Sequence, residues 1–217
     1  MLITFGALFA LGVAILAGGY FYLASDLPDT AQLAEYEPPL PSHLRDVNGE
    51  PFATFARERR IYATYDDLPA ELIAAFISAE DKTFFVHGGV DITGFTNAVF
   101  DYVSKMGSGE RAVGGSTITQ QVAKNLLLGD EYSVTRKLKE IILAMRIERT
   151  FSKERILELY LNQIFLGRNA YGVQAASFAY FDKPVTELTT PESAFLAVLP
   201  KAPSNYNPST ETGRRLA

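Results

Sequence analysis

The chain has no cysteine. That single absence excludes disulfide scaffolds, cysteine-ligated metals and thiol nucleophiles. Histidine is nearly as scarce, with only His43 and His87 present, which is too few for a multi-histidine metal centre. There is no basic surplus either. A net charge of −5 over 217 residues lacks the cationic face that a nucleic-acid partner requires. No internal repeat is evident. Finally, residues 1–25 contain no charged side chain at all. Such a run can cross a ~30 Å hydrocarbon core as a helix, with Tyr20 and Tyr22 near one interface. A cleaved signal peptide is the rival reading, but no basic segment precedes the run and it is long for a signal core, so a retained anchor is expected. The acidic flank after it (Asp26, Asp29, Glu35, Glu37) suits the outer side, which places the rest of the chain outside the cytoplasmic membrane.

What is present fits a globular domain with some membrane character: 47% hydrophobic and 21% charged residues. The organisation reads as an anchor over 1–25, a linker and β-hairpin over 26–66, and a mainly α domain over 67–217. Residues 26–42 are proline-rich and acidic, as in an extended linker. Asn48-Gly49, flanked by the segments 43–47 and 51–56, predicts a two-residue hairpin turn. From Leu68 the spacing predicts helices at about 69–86, 92–106, 117–128, 134–149, 153–165, 171–181 and 191–199. Thr190 is the expected cap of the last, with Pro191 in its first turn, and Gly129 and Gly167 are expected stops. Residues 107–115 form a glycine-rich loop, either a plain linker or a lid. Phe95, Val99, Tyr102, Val103 and Met106 form one stripe, which reads as core or as a face for the lipid surface.

Four segments carry candidate chemistry. In the first, Glu80 and Asp81 are adjacent. On a continuous helix Glu80 would lie about 20° to 60° from Ile73, Phe76, Ile77 and Phe84, inside the apolar stripe. A carboxylate there is costly unless paired or used, and one in use suits proton abstraction. The alternatives are a structural ion pair or a side chain that escapes to water. In the second, Thr117 and Gln120 make a capping-box pattern after Gly114-Gly115, so a helix start with free N–H groups would favour an anion, especially a phosphate. Thr117, Gln120, Gln121 and Lys124 share its polar face. In the third, Arg136, Lys137 and Glu140 cluster on one helix face, which by itself reads as a solvated i,i+4 pair. In the fourth, Glu158 and Asn162 share one side of a packing helix and are expected to brace the site. One base beside a cationic pocket suits sugar transfer from a diphosphate donor better than glycoside hydrolysis, which needs a second carboxyl as acid.

The segments EDKTFFVHGGVD, GGSTITQQVAKN, RKLKE and KERILELYLNQIFLG, followed by YGVQAASFAYF and LAVLPKAPSNYNP, resemble in order the motifs of the family 51 peptidoglycan glycosyltransferases. The resemblance runs from about Pro39 to Pro208. With the anchor and hairpin, the chain looks like the N-terminal part of a class A penicillin-binding protein. No Ser-x-x-Lys or Lys-Thr-Gly of a transpeptidase is found, and a monofunctional relative is the other reading. The resemblance implies a lysozyme-like glycosyltransferase fold with a small membrane-associated lobe that includes the 92–106 stripe. It implies polymerisation of lipid II onto a growing glycan strand, with inversion at C1 and release of undecaprenyl diphosphate. Membrane lipid and other cell-wall synthesis proteins are the implied partners. A catalytically inactive membrane-tethered scaffold and a lysozyme-like cleaving enzyme are the rivals.

Carried over by motif, Glu80 is the implied general base, Asp81 orients that region, and Phe84 and His87 are structural or substrate contacts. Ser116, Thr117, Gln120, Lys124 and Asn125 are implied donor-binding positions, with Lys124 on the diphosphate. Arg136 and Lys137 stand near the leaving group. Glu140 is the second essential carboxylate, implied to hold a divalent metal (Mg2+ or Mn2+) or to organise the diphosphate.

Overall fold

The computed structural model describes residues 2–34, 36, 42–55, 59–105, 115–129, 133–201 and 206. Met106 and residues 107–114 of the glycine-rich loop lie outside this set, as do the side chains of Val99, Tyr102 and Val103. The order of that loop and the face taken by most of the stripe are therefore not described. Phe95 itself is exposed.

Helix α1 (Leu2–Ser25) is apolar on all sides and leaves Phe5, Phe9, Ile15 and Phe21 exposed. Among the described residues it is the one helix long and apolar enough to cross a membrane, by length and composition. Asp29 then caps a short 3-10 turn, Thr30–Leu33, whose Leu33 is fully buried. Strands β1 (Ser42–Arg45) and β2 (Pro51–Phe55) pair antiparallel as expected, but not through a two-residue turn. The Asp46 carboxylate accepts from the N–H groups of Asn48 and Glu50 at 2.9 Å each, and Gly49 takes φ 85°. This side-chain acceptor closes a longer loop from Asp46 to Glu50. A second small pairing joins β3 (Arg59–Arg60) in parallel with β4 (Ala170–Tyr171).

The remainder is mainly helical, as the periodicity predicts: α2 (Ala70–Glu80), α3 (Ile92–Ser104), α4 (Ile118–Ala123), α5 (Val134–Thr150), α6 (Lys153–Gln163), α7 (Val173–Phe181) and α8 (Thr190–Val198). Several ends differ from expectation for local reasons. α2 stops at Glu80 instead of running to 86, because Asp81 turns to φ −156°, ψ 80° and the chain continues in turns to Gly89. Phe84 thus reaches the core from a turn and not from the helical face that carries Glu80. α4 is short and passes into a π-helical stretch, Lys124–Leu128, which Gly129 ends at φ 71° as expected. α6 ends at Gln163, ahead of Gly167, because Ile164 turns extended and its carbonyl accepts from Gly172 N–H at 2.8 Å. α8 is capped by Thr189 and not Thr190: Glu192 returns its carboxylate to the Thr189 backbone and hydroxyl at 2.7 Å each.

The core lies where α2, α4, α5, α6 and α8 meet. α4 is buried on nearly every side, with Ile118, Thr119, Gln120, Val122 and Ala123 all inside. It packs on α5 and α6, while α2 packs on α8. Phe76 of α2 meets Tyr160 of α6 edge to face at 6.2 Å, a geometry that contributes about 0.5–1.5 kcal/mol beyond the area it buries. With α4 as a central pillar, the residues at its first turn and those at the end of α2 are held in a fixed relation.

Candidate active site

Glu80 is the last residue of α2, half-buried, and accepts from Gln121 Nε2 at 3.0 Å. Asp81 beside it is buried and does a different job. Its Oδ2 accepts from the backbone N–H of Ile118 at 3.0 Å and from His87 Nε2 at 2.9 Å. The anion at the start of α4 is therefore the protein's own carboxylate, and that N–H is not free for a phosphate. The expectation of a phosphate-binding helix start fails because the preceding motif folds back onto it. His87 Nδ1 accepts from Gly89 N–H at 3.1 Å. With Nδ1 accepting, Nε2 is the ring nitrogen that donates to Asp81.

The capping box forms as read: Thr117 N–H donates to Gln120 Oε1 at 2.9 Å, and Gln120 N–H donates to Thr117 Oγ1 at 3.2 Å. Thr117 Oγ1 also donates to the Gly89 carbonyl at 2.7 Å. The first two motifs are thus pinned together through Asp81, Ile118, Thr117 and Gly89.

The third motif occupies the first turns of α5, where Ser133 Oγ accepts from Arg136 N–H. Glu140 is only 2% exposed, so its carboxylate is buried while Arg136 and Lys137 stay partly exposed around it, unlike the fully solvated pair that the spacing suggests. Arg136 Nη1 donates to one carboxylate oxygen at 2.8 Å and Lys137 Nζ to the other. Lys137 also donates to Ser116 Oγ at 2.7 Å, reaching across to the second motif.

Two hollows meet here. One of about 440 Å³ is lined by Glu80, Asp81, Lys82, Asp91, Asp101 and Ser116, among others. The other, about 520 Å³, is lined by Ser116, Gln121, Lys124, Arg136, Lys137 and Glu140, together with Ser133 and Val134. Ser116 lines both, and Gln121 joins the cationic hollow to Glu80. The outcome is an acidic hollow and a cationic hollow side by side. In the first, Asp91 is held below its ordinary range by the Gly94 N–H and then the Thr83 hydroxyl. Tyr160 sits behind the carboxylates. Burial, and then the charges of Glu80 and Asp81, push its hydroxyl well above 10, so it stays protonated.

Of the residues read from the sequence, Glu80, Asp81, Ser116, Thr117, Lys124, Arg136, Lys137 and Glu140 gather around these hollows. Phe84, His87, Gln120 and Asn125 line neither. Phe84 is fully buried under the Lys153 ammonium, 4.5 Å from its ring centre. Gln120 is buried in the capping box, and Asn125 is exposed. Glu158 and Asn162 brace a different place: Glu158 accepts from the Tyr62 hydroxyl and Tyr65 N–H, while Asn162 clamps both backbone groups of Ala63. They fix the segment leading into α2. The sequence places Gln121 on the polar face of its helix, but nothing in it marks the residue as the partner of Glu80.

The divalent ion expected on Glu140 does not fit the residues as they stand. Both of its oxygens are taken by cations, and among the described residues no group of three His, Asp or Glu side chains gathers to hold one.

A family described as transglycosylase matches residues 48–216. The chain is 47% identical over 210 residues to penicillin-binding protein 1A of Rickettsia prowazekii, covering 97% of this chain and 27% of that protein. To penicillin-binding protein 1A of Escherichia coli K12 it is 44% identical over 207 residues, covering 95% and 24%. The chain thus spans about a quarter of the length of these relatives. A crystal structure of penicillin-binding protein 1A from Haemophilus influenzae is 28% identical, with a TM-score of 0.39 over 80% of this chain and 16% of that one.

Proposed function

The chain belongs to the transglycosylase family, and on that premise we propose that its paired hollows polymerise peptidoglycan glycan strands from lipid II. The observation that carries the reading is the joining of a carboxylate-lined hollow to a cation-lined one at Ser116 and Gln121. A sugar hydroxyl in the first hollow gives its proton to Glu80 as its oxygen attacks C1 of the donor. The C1–O bond to the diphosphate breaks, configuration at C1 inverts, and the diphosphate settles among Lys124, Arg136 and Lys137. Charge developing on that leaving group is offset by cations already in place, which lowers the barrier without reorganisation. Glu140 acts as the fixed counter-charge that holds Arg136 and Lys137 in position.

A lysozyme-like cleavage is less well supported. It needs a second carboxyl group able to give a proton to the leaving sugar, whereas both oxygens of Glu140 accept from cations. No step here runs through a metal. In this reading the fold is lysozyme-like, α1 is a single membrane anchor, the catalytic domain stands on the outer side, and α3 belongs to a lobe resting on lipid.

The test is turnover of labelled lipid II by the full chain and by Glu80→Gln, with magnesium present and with it chelated. Loss of a general base lowers the rate by about 10²- to 10⁴-fold. A Gln variant that polymerises normally points to the scaffold reading, and release of fragments from finished wall points to cleavage.

A further inference from the structure

A third hollow, about 420 Å³, lies away from the two just described, at the foot of α1. It is lined by Leu27, Pro28, Asp29 and Thr30 just past the end of that helix, and by Arg146, Arg149 and Thr150 of α5. Two arginines one turn apart share this hollow with a single carboxylate. That carboxylate, Asp29, is already engaged in capping Ala31 N–H at 2.9 Å. Arg146 Nη2 stands 3.4 Å from the carbonyl of Ala24, in the last turn of α1. Among the described residues the Arg149 guanidinium makes no hydrogen bond or ion pair. Lys139 is paired with Asp26, just past the end of α1, and so ties α5 to that helix end. Nothing in glycosyl transfer requires this pair of arginines.

We propose that this hollow binds the phosphodiester headgroup of an anionic glycerophospholipid whose acyl chains lie along α1. The inference rests on the reading of α1 as a membrane span. A span ending at Ser25 puts Arg146 and Arg149 at headgroup depth, where guanidinium groups pair with phosphate in forked geometry. The Thr30 and Thr150 hydroxyls supply further polar atoms at the rim. The consequence is a headgroup clamp that fixes how the catalytic domain stands on the bilayer. It requires no change in the catalytic residues.

The experiment takes the full chain in phosphatidylcholine nanodiscs doped with phosphatidylglycerol, releases it, and counts retained lipid by native mass spectrometry. Replacing both arginines (Arg146→Gln with Arg149→Gln) lowers phosphatidylglycerol retention by about 25-fold, at roughly fivefold per cation. Arg146→Lys with Arg149→Lys keeps most of it. Lipid II turnover in pure phosphatidylcholine is unchanged in both, which also shows that the variants fold. Equal retention by the Gln pair overturns the proposal. Displacement of the lipid by glycerol 3-phosphate, or by undecaprenyl diphosphate, overturns it in favour of a soluble phosphate or the substrate. Flotation with neutral vesicles reads the span separately. A chain that fails to float refutes the anchor, and a chain that floats with equal retention refutes the clamp alone.

Discussion

Substituting Asp81 by Asn separates the structural part of the site from its chemistry. In the folded chain the two Asp81 oxygens, at 6% residue exposure, accept from Ile118 N–H at 3.0 Å and His87 Nε2 at 2.9 and 3.1 Å. Asn has one acceptor oxygen, so its amide NH₂ must face one of those two donors. If the oxygen stays with Ile118, the His87 donor is lost; if it turns to His87, a buried backbone N–H is orphaned. Either arrangement removes a charge-assisted bond of about 1.5–3 kcal/mol and leaves a buried donor unpaired at about 1–3 kcal/mol. Relaxation recovers part of this, so the expected loss is about 2–4 kcal/mol. For a chain of this size it corresponds to a fall in Tm of about 5–15 °C. Thermal unfolding of the detergent-solubilised full chain by far-ultraviolet circular dichroism measures it. Because Asp81 pins the turn after α2 to the start of α4, lipid II turnover should fall as well, even well below the new midpoint. A loss under about 1 kcal/mol would refute the idea that this carboxylate substitutes for a phosphate at the helix start.

Three further outcomes test other contacts. Gln121→Ala removes the donor that holds Glu80; turnover of lipid II should fall about tenfold with little change in KM, and unchanged turnover would show that Gln121 does not position the base. Gly89→Ala should destabilise the fold by about 2 kcal/mol or more, read from urea unfolding, since Gly89 sits at φ 99° and a Cβ would meet the Ala144 carbonyl at 2.7 Å. Glu192 is held down at about 2, first by Lys183 and then by Thr189, against an ordinary value of 4.5. A depressed carboxyl stabilises the fold above 4.5 and loses that contribution as pH falls toward 2. The stability gap between wild type and Glu192→Gln should therefore close over that window, and a gap constant with pH would contradict the assignment.

The sequence by itself determined the mainly helical class, the apolar α1, the capping box at Thr117 and the stop at Gly129. These rest on local rules, namely spacing, capping and φ-tolerance, which act within a few residues. Motif resemblance added what spacing could not. Arg136 and Glu140 read locally as an ordinary exposed pair, and only the family pattern marked them as part of a site. The tertiary structure decided which groups face each other. It ended α2 at Glu80 because a carboxylate at 81 is worth more against Ile118 and His87 than in another helical turn. It buried Glu140 between two cations, set Gln121 against Glu80, and sent Glu158 and Asn162 to a different segment altogether. Most of these depend on contacts between residues tens of positions apart, such as Asp81 with Ile118, Glu80 with Gln121 and Glu158 with Tyr62, or on burial that such packing produces. Helical periodicity carries no term for either, so they became visible only when α4 was packed between its neighbours.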